Sequence, residues 1–260
     1  MRALLFTFIL GIITISSTAG TILLEGNYQG KNIYVQNPFS GTGVGFCTFE
    51  VKVNGQVTTD EVNSSAFEVD LANFKLGMGE KIVIALQHKD DCRPKVLNPE
   101  VLKPKSTFET SAIKVANNTL SWTTKNESGK LPFIVEQFRW NKWIKIGEVE
   151  GKGSAAAHDY SFEVTPHSGE NLFRVKQIDY TERPNISKTA RNRNNTEELT
   201  LKALKVKTSL EFTGETMYEI YDAYGNIIKK GFTSTVDVAN FKKGIYYVNY
   251  DNKTEQFIKK

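Results

Sequence analysis

Three histidines, two cysteines and one glycine-rich run are the residues of this chain whose types could support chemistry. His88, His158 and His167 lie far apart, and His158 and His167 fall in segments that read as loops, so spacing assembles no nucleophile–base pair. There is no Gly-x-Ser-x-Gly elbow, no His-Glu-x-x-His helix and no phosphate-cradling glycine loop ending in Lys-Ser/Thr. Gly41-Thr-Gly-Val-Gly45 invites comparison with a nucleotide loop, yet no helix follows it. A glycine-rich hairpin or bulge ahead of Phe46-Cys47 is the simpler reading. Asp90-Asp91 could attract Ca²⁺, but alternating oxygen ligands around a central glycine are missing, and a solvated turn suffices. The expectation is a non-enzymatic chain with no catalytic residues, no metal and no cofactor.

The cysteines depend on the compartment, which the first residues address. Met1-Arg2 supplies a positive start, Ala3 to Ile15 is apolar apart from small and hydroxyl residues, and Ser16-Ser-Thr-Ala-Gly20 follows. Small residues at −3 and −1 place cleavage after Ala19, the build of a secretory signal peptide over residues 1–19. As a membrane anchor the run is too short for about 30 Å of hydrocarbon, and no later stretch approaches ~20 apolar residues. No Cys stands at the cleavage point to carry a lipid. In an oxidising compartment Cys47 and Cys92 read as a disulfide closing a loop of about 45 residues, contributing roughly 3–4 kcal/mol by chain entropy. The alternative, His88 and Cys92 as metal ligands, is half a site. The net charge of +4 is a mild bias with lysines scattered singly along strands, so nucleic acid is not expected as a partner.

Almost nothing in the remaining chain has helical periodicity. Val51-Lys-Val-Asn-Gly, Phe67-Glu-Val-Asp-Leu, Lys81-Ile-Val-Ile-Ala-Leu and Phe173-Arg-Val-Lys-Gln-Ile-Asp alternate with period two, which predicts all-β tandem small sandwiches. Asn98-Pro-Glu-Val-Leu-Lys-Pro104 and the polar run Arg191-Asn-Arg-Asn-Asn-Thr-Glu-Glu read as separators. They divide the chain into 21–105, with the disulfide, 106–195 and 203–260. Val69-Asp-Leu-Ala-Asn-Phe-Lys-Leu-Gly77 is echoed by Val236-Asp-Val-Ala-Asn-Phe-Lys-Lys-Gly244. The local reading is that a strand ends, the phenylalanine plugs a sandwich edge, and the glycine takes positive φ before the next strand.

The last segment reads as strand, tight turn and strand over Tyr218–Gly231, then Val236–Val248, then a basic end at Lys259-Lys260. It resembles the type A C-terminal sorting domain of type IX secretion substrates in Bacteroidetes. Asp222, Gly225, Asp237, Gly244, Tyr246 and Lys259-Lys260 match that family's pattern in order, with Phe241 where leucine is usual. Thr119-Leu-Ser-Trp122, Phe133-Ile-Val-Glu-Gln and the Phe173 strand resemble the fibronectin type III-like module that often precedes it, with Trp122 in the core. The arrangement is most similar to the PorA-like type IX component.

The resemblance implies export through the periplasm to the outer membrane or cell surface. The implied partners are the type IX translocon, a PorV-like outer-membrane shuttle barrel and, for cleaved substrates, a PorU-like sortase. A PorA-like role makes the terminal domain a resident docking module; the alternative is an adhesin or glycan-binding protein anchored after that domain is removed. Strand alternation puts Tyr246 and Tyr247 on opposite faces, one inward and one outward. Lys259 and Lys260 are expected to be free for acidic partner residues. Arg139-Trp-Asn-Lys-Trp143 reads as a hairpin turning at Asn141 and Lys142, with Trp143 packed and Trp140 a candidate exposed anchor.

Overall fold

A computed structural model describes residues 19–260; the leader predicted at 1–19 therefore lies outside the described residues, except for Ala19. The chain is almost entirely β and separates into two compact units, one ending at Lys103 and the other running from Pro104 to Lys260.

In the first unit, β1 (Ala19–Asn27), β6 (Lys81–Lys89), β3 (Thr48–Val53) and β4 (Gln56–Val57) form one sheet in that spatial order. A second sheet is ordered β5 (Ala66–Val69), β2 (Ile33–Gln36) and β7 (Lys95–Val96). Period-two alternation sends one side of each sheet inward, so Ile33, Val35, Val51, Val53, Val69, Ile82, Ile84 and Leu86 make a shared core. Each such aliphatic side chain contributes about 1.5–3 kcal/mol by leaving water. Cys47, just before β3, is joined to Cys92, just after β6, with Cα atoms 5.8 Å apart. The disulfide removes Cys92 from any metal site, and His88 instead places Nδ1 2.8 Å from the Lys89 carbonyl.

The second unit starts with two facing sheets. One is ordered β12 (His158–Glu163), β9 (Thr119–Lys125), β8 (Glu109–Ala116). The other is β11 (Lys142–Glu150), β10 (Pro132–Arg139), β13 (Gly169–Ile178) and β14 (Pro184–Ile186), with β15 (Ala190–Asn194) also paired to β13. Trp122 is in the core as its strand pattern predicts, stacked on Tyr160 at 5.4 Å and edge-on to Phe133 at 5.8 Å. The polar run read as a separator is different: its first half, Arg191–Asn194, is strand β15. An edge strand needs no apolar residue when its ladder partner, here β13, is the one carrying the core side chains.

The remaining strands are β16 (Lys205–Val206), β17 (Ser209–Tyr221), β18 (Ile227–Asp237), β19 (Gly244–Tyr250) and β20 (Lys253–Lys259). They form one sheet ordered β16-β20-β19-β17-β18, in which β16 runs parallel to β20. Irregular register between Glu211 and Thr216 bends the long β17–β18 hairpin. The bend brings Phe212 to 4.9 Å from Tyr250, and Leu210, Phe212, Val236 and Val238 close a core with Tyr218, Ile220, Tyr246, Val248 and Phe257.

Candidate functional site

The terminal sheet carries the residues singled out by sequence, and most of them are makers of shape. Asp222 Oδ1 accepts the backbone N–H groups of Tyr224 and Asn226, each at 2.9 Å, while Oδ2 accepts the Asn226 amide. The Asn226 side chain, then its backbone N–H, holds the Asp222 carboxyl below the usual carboxylate range. Gly225 completes the turn at φ +85, where an L side chain is strained. Asp222 and Gly225 thus set the β17–β18 hairpin.

Asp237 ends β18, and its Oδ1 accepts Ala239 N–H at 2.8 Å; in the echoed segment Asp70 Oδ1 accepts Ala72 N–H at 3.0 Å. Both phenylalanines, Phe74 and Phe241, pack partly buried on their cores. The glycine expectation holds for only one copy. Gly244 opens β19 at φ +156, but in the first unit the positive φ falls on Lys75 and Gly79 rather than on Gly77. A short 3₁₀ turn over Leu71–Phe74 ends with Lys75 in the left-handed conformation, so the reversal there comes two residues early.

Tyr246 and Tyr247 do take opposite faces. Tyr246 is buried, stacks on Phe257 at 5.5 Å and donates its hydroxyl to the Lys242 carbonyl at 2.8 Å; Tyr247 is 42% exposed. Lys259 corrects the expectation of a free basic end. It is buried in β20, opposite Gly244 and Val206, and its Nζ donates to the Lys260 carbonyl. Strand parity turns Lys259 toward the core side, so only Lys260 is exposed.

The aromatic hairpin also needs correcting. Arg139 pairs with Lys142, so the two-residue turn is Trp140-Asn141, with both at positive φ (50° and 60°). Trp140 is only partly exposed and its Nε1 is buried without a partner. Trp143 is not a core residue: it packs beside Phe138 under the Arg174 guanidinium, 4.0 Å from the ring centroid.

Sequence reading missed the seam that joins the terminal sheet to the sandwich before it. Arg139 is 2% exposed and donates to Gln137 Oε1, the Thr165 carbonyl and the Asp251 carbonyl. Burial lowers its pKa to about 10, against the opposing pull of Asp251, which leaves it charged at neutral pH. Asp251, in the β19–β20 turn at φ +45, accepts the Ser168 N–H and hydroxyl and the Leu199 N–H. Its own N–H donates to Thr216. His167 lies alongside, its pKa lowered by burial and by Arg139. A second contact pairs Lys142 with Glu219 at 2.6 Å and with the Tyr221 hydroxyl at 3.0 Å. Burial raises Glu219, but bonds from Lys142 and Tyr221 outweigh it and leave the carboxyl below its ordinary range. An Asp in a turn and an Arg in a strand look ordinary in sequence. The only signal was Arg139 on the parity of buried Val135.

The segment between sandwich and sheet is tied at several points, while residues 195–198 are exposed. Lys253 pairs with Glu198, Thr200 and Thr213 exchange bonds, Leu201 bridges Phe212, and Lys202 N–H donates to the Glu211 carbonyl. One pair in the unit has the look of chemistry: Ser154 Oγ lies 2.7 Å from His158 Nε2. No carboxylate bonds the other ring nitrogen of His158 among the described residues, and no group of three metal-ligating side chains occurs among them.

These features define a chain of β-sandwich modules closed by a five-stranded terminal sheet. Residues 200–260 match the family described as "Secretion system C-terminal sorting domain", the type IX sorting tail, which marks the chain for export to the cell surface or outer membrane. No curated protein matches the chain. Among solved structures, the tetra-tandem repeat in the extending region of a large adhesion protein is 11% identical, covering 93% of this chain and 73% of that one, with TM-score 0.29. The chicken CNTN1 FN1-FN3 domains are 13% identical over 96% and 97% of the two chains, TM-score 0.25. The central fibronectin-III array of RIM-binding protein is 12% identical over 92% and 93%, TM-score 0.20. These likenesses concern the β-array and carry no argument about activity.

Proposed function

We propose that this chain is a non-catalytic, PorA-like component of type IX secretion whose terminal module is retained and docks to a PorV-like outer-membrane shuttle. The observation that carries this reading is the seam. The terminal sheet is joined to the preceding sandwich by the buried Arg139 and Asp251, unlike a disposable tag that makes no contact with its passenger. A PorU-like sortase would need several residues ahead of β16 in extended, accessible form. Residues 195–198 are exposed, but Leu199 and Leu201 after them pack on the terminal core. In this reading Asp222, Gly225, Asp237, Gly244 and Tyr246 shape the docking module, and Trp140 belongs to the seam rather than to a partner surface.

The test is the C-terminus of the native protein. Mass spectrometry of the outer-membrane fraction is expected to find Lys260 intact, with co-purification of a PorV-like barrel that is lost when residues 206–260 are deleted. A form truncated near residue 200 and joined to lipopolysaccharide would overturn the proposal in favour of a sorted adhesin or glycan-binding protein.

A further inference from the structure

The outer side of the terminal sheet is half covered. At one end Lys142 of the preceding hairpin reaches Glu219 and Tyr221, and Asn249 beside them is buried. At the other end the same face is open. Ile245 and Ile258 are directly paired across β19 and β20 and are 48% and 36% exposed, with Tyr247 next to them.

Exposed lysines gather at the ends of the strands around that open end. Val206 and Lys259 are paired and both buried, so Lys205 falls on the outer side with Ile258, while Lys207 and Lys260 are exposed just past the ends of their strands. Lys243 is exposed in the bend that leads into β19 beside this end of the sheet. None of these four lysines makes an ion pair among the described residues. No Asp or Glu occupies an outer position of β16, β19 or β20: the outer positions are Lys205, Ile245, Tyr247, Asn249, Thr254, Gln256 and Ile258.

We infer that this lysine-rimmed apolar face docks on an anionic, phosphate-bearing lipid surface. Its charge complementarity names an anionic partner, and its composition favours lipid over protein. The rim is lysine throughout, and lysine and acidic residues are depleted where proteins meet each other. Lysine is a mobile point charge that lays its stem along apolar surface and sends its head to the headgroup layer, while an outward tyrosine suits the water–hydrocarbon boundary. Two isoleucines at the centre give the shallow apolar insertion that basic charge alone lacks. The inference is independent of whether the terminal module is retained, because it concerns a face present in the uncleaved chain.

The exported chain, free of its leader, is tested by co-flotation with vesicles. With vesicles containing about one third phosphatidylglycerol in phosphatidylcholine it is expected to float. With phosphatidylcholine alone, or at high salt where the Debye length falls to about 3 Å, it is expected to stay behind. At roughly fivefold per lysine, replacing Lys205, Lys207, Lys243 and Lys260 by Gln is expected to lower partitioning at least a hundredfold. Ile258→Ser lowers it several-fold with all charges in place. An unchanged melting curve shows that each variant folds, and Lys205→Glu alone serves if the fourfold variant does not. Equal flotation on phosphatidylcholine, no loss in the lysine variants, or full competition by millimolar inorganic phosphate would overturn the inference. So would tighter binding to a soluble acidic protein than to the vesicles.

Discussion

The two compact units are tied in opposite ways. The first closes its sandwich with a covalent bond, Cys47–Cys92, across the chain around β3 and β6. The second fastens its two sheet systems with buried charge, Arg139 and Asp251, and with the pair of partly exposed Lys142 and buried Glu219. A disulfide acts mainly on the unfolded chain and is indifferent to pH and salt, but it yields to reductant. A buried polar hub acts on the folded state, is indifferent to reductant, and is costly when half of it is removed. Each unit can therefore be attacked without the other. All three tryptophans, Trp122, Trp140 and Trp143, lie in the second unit, so their fluorescence follows it alone, whereas circular dichroism follows both.

The largest effect is expected from Asp251→Ala, which leaves Arg139 buried without its neighbour's charge and strands the Ser168 and Leu199 donors. Three stranded donors at about 1–3 kcal/mol each should lower the tryptophan-detected transition and open the 199–205 junction to proteolysis. Cys47→Ser with Cys92→Ser, or reductant, is expected to cost roughly 3–4 kcal/mol in the first unit. That change should appear in circular dichroism while the tryptophan transition stays put. If reduction moves both signals together, the units do not unfold independently.

Acid should distinguish the ties as well. Glu219 is held below its ordinary pKa, so its contribution is complete above about 4.3 and is lost as pH falls through the lower folded value. His167, also lowered, binds its proton first in the unfolded chain, so stability already declines just below about pH 6.5. The tryptophan transition should show both slopes, and His167→Asn should remove the upper one. The smallest effects belong to the echoed turns. Asp70→Ala and Asp237→Ala each remove one side-chain acceptor for a backbone N–H and should cost ~1 kcal/mol, one in each unit, measured by urea denaturation.

Much of this architecture could be read from residues alone, because period-two alternation and turn chemistry are local. The strands around Val51, Phe67, Ile82 and Phe173, Trp122 in the core and the Cys47–Cys92 bond all follow from patterns a few residues long or from compartment. The failures concern polar residues whose meaning is set by distant neighbours. Arg191–Asn194 looks like a linker until β13 is beside it, and Lys259 looks free until β16 and β19 enclose it. Trp140 looks like a turn-tip anchor until Lys142 beside it is seen to reach Glu219. The seam was invisible because Asp251 and Arg139 stand 112 residues apart.

The parallel pairing of β16 with β20 couples the first strand of the terminal sheet to its last. Lys205 and Val206 have no ladder partner until Ile258 and Lys259 arrive. A nascent or clipped chain ending ahead of Lys253 leaves β19 with a bare edge and β16 unseated. The terminal sheet is therefore closed by its last strand, and the order of synthesis sets the moment at which it closes.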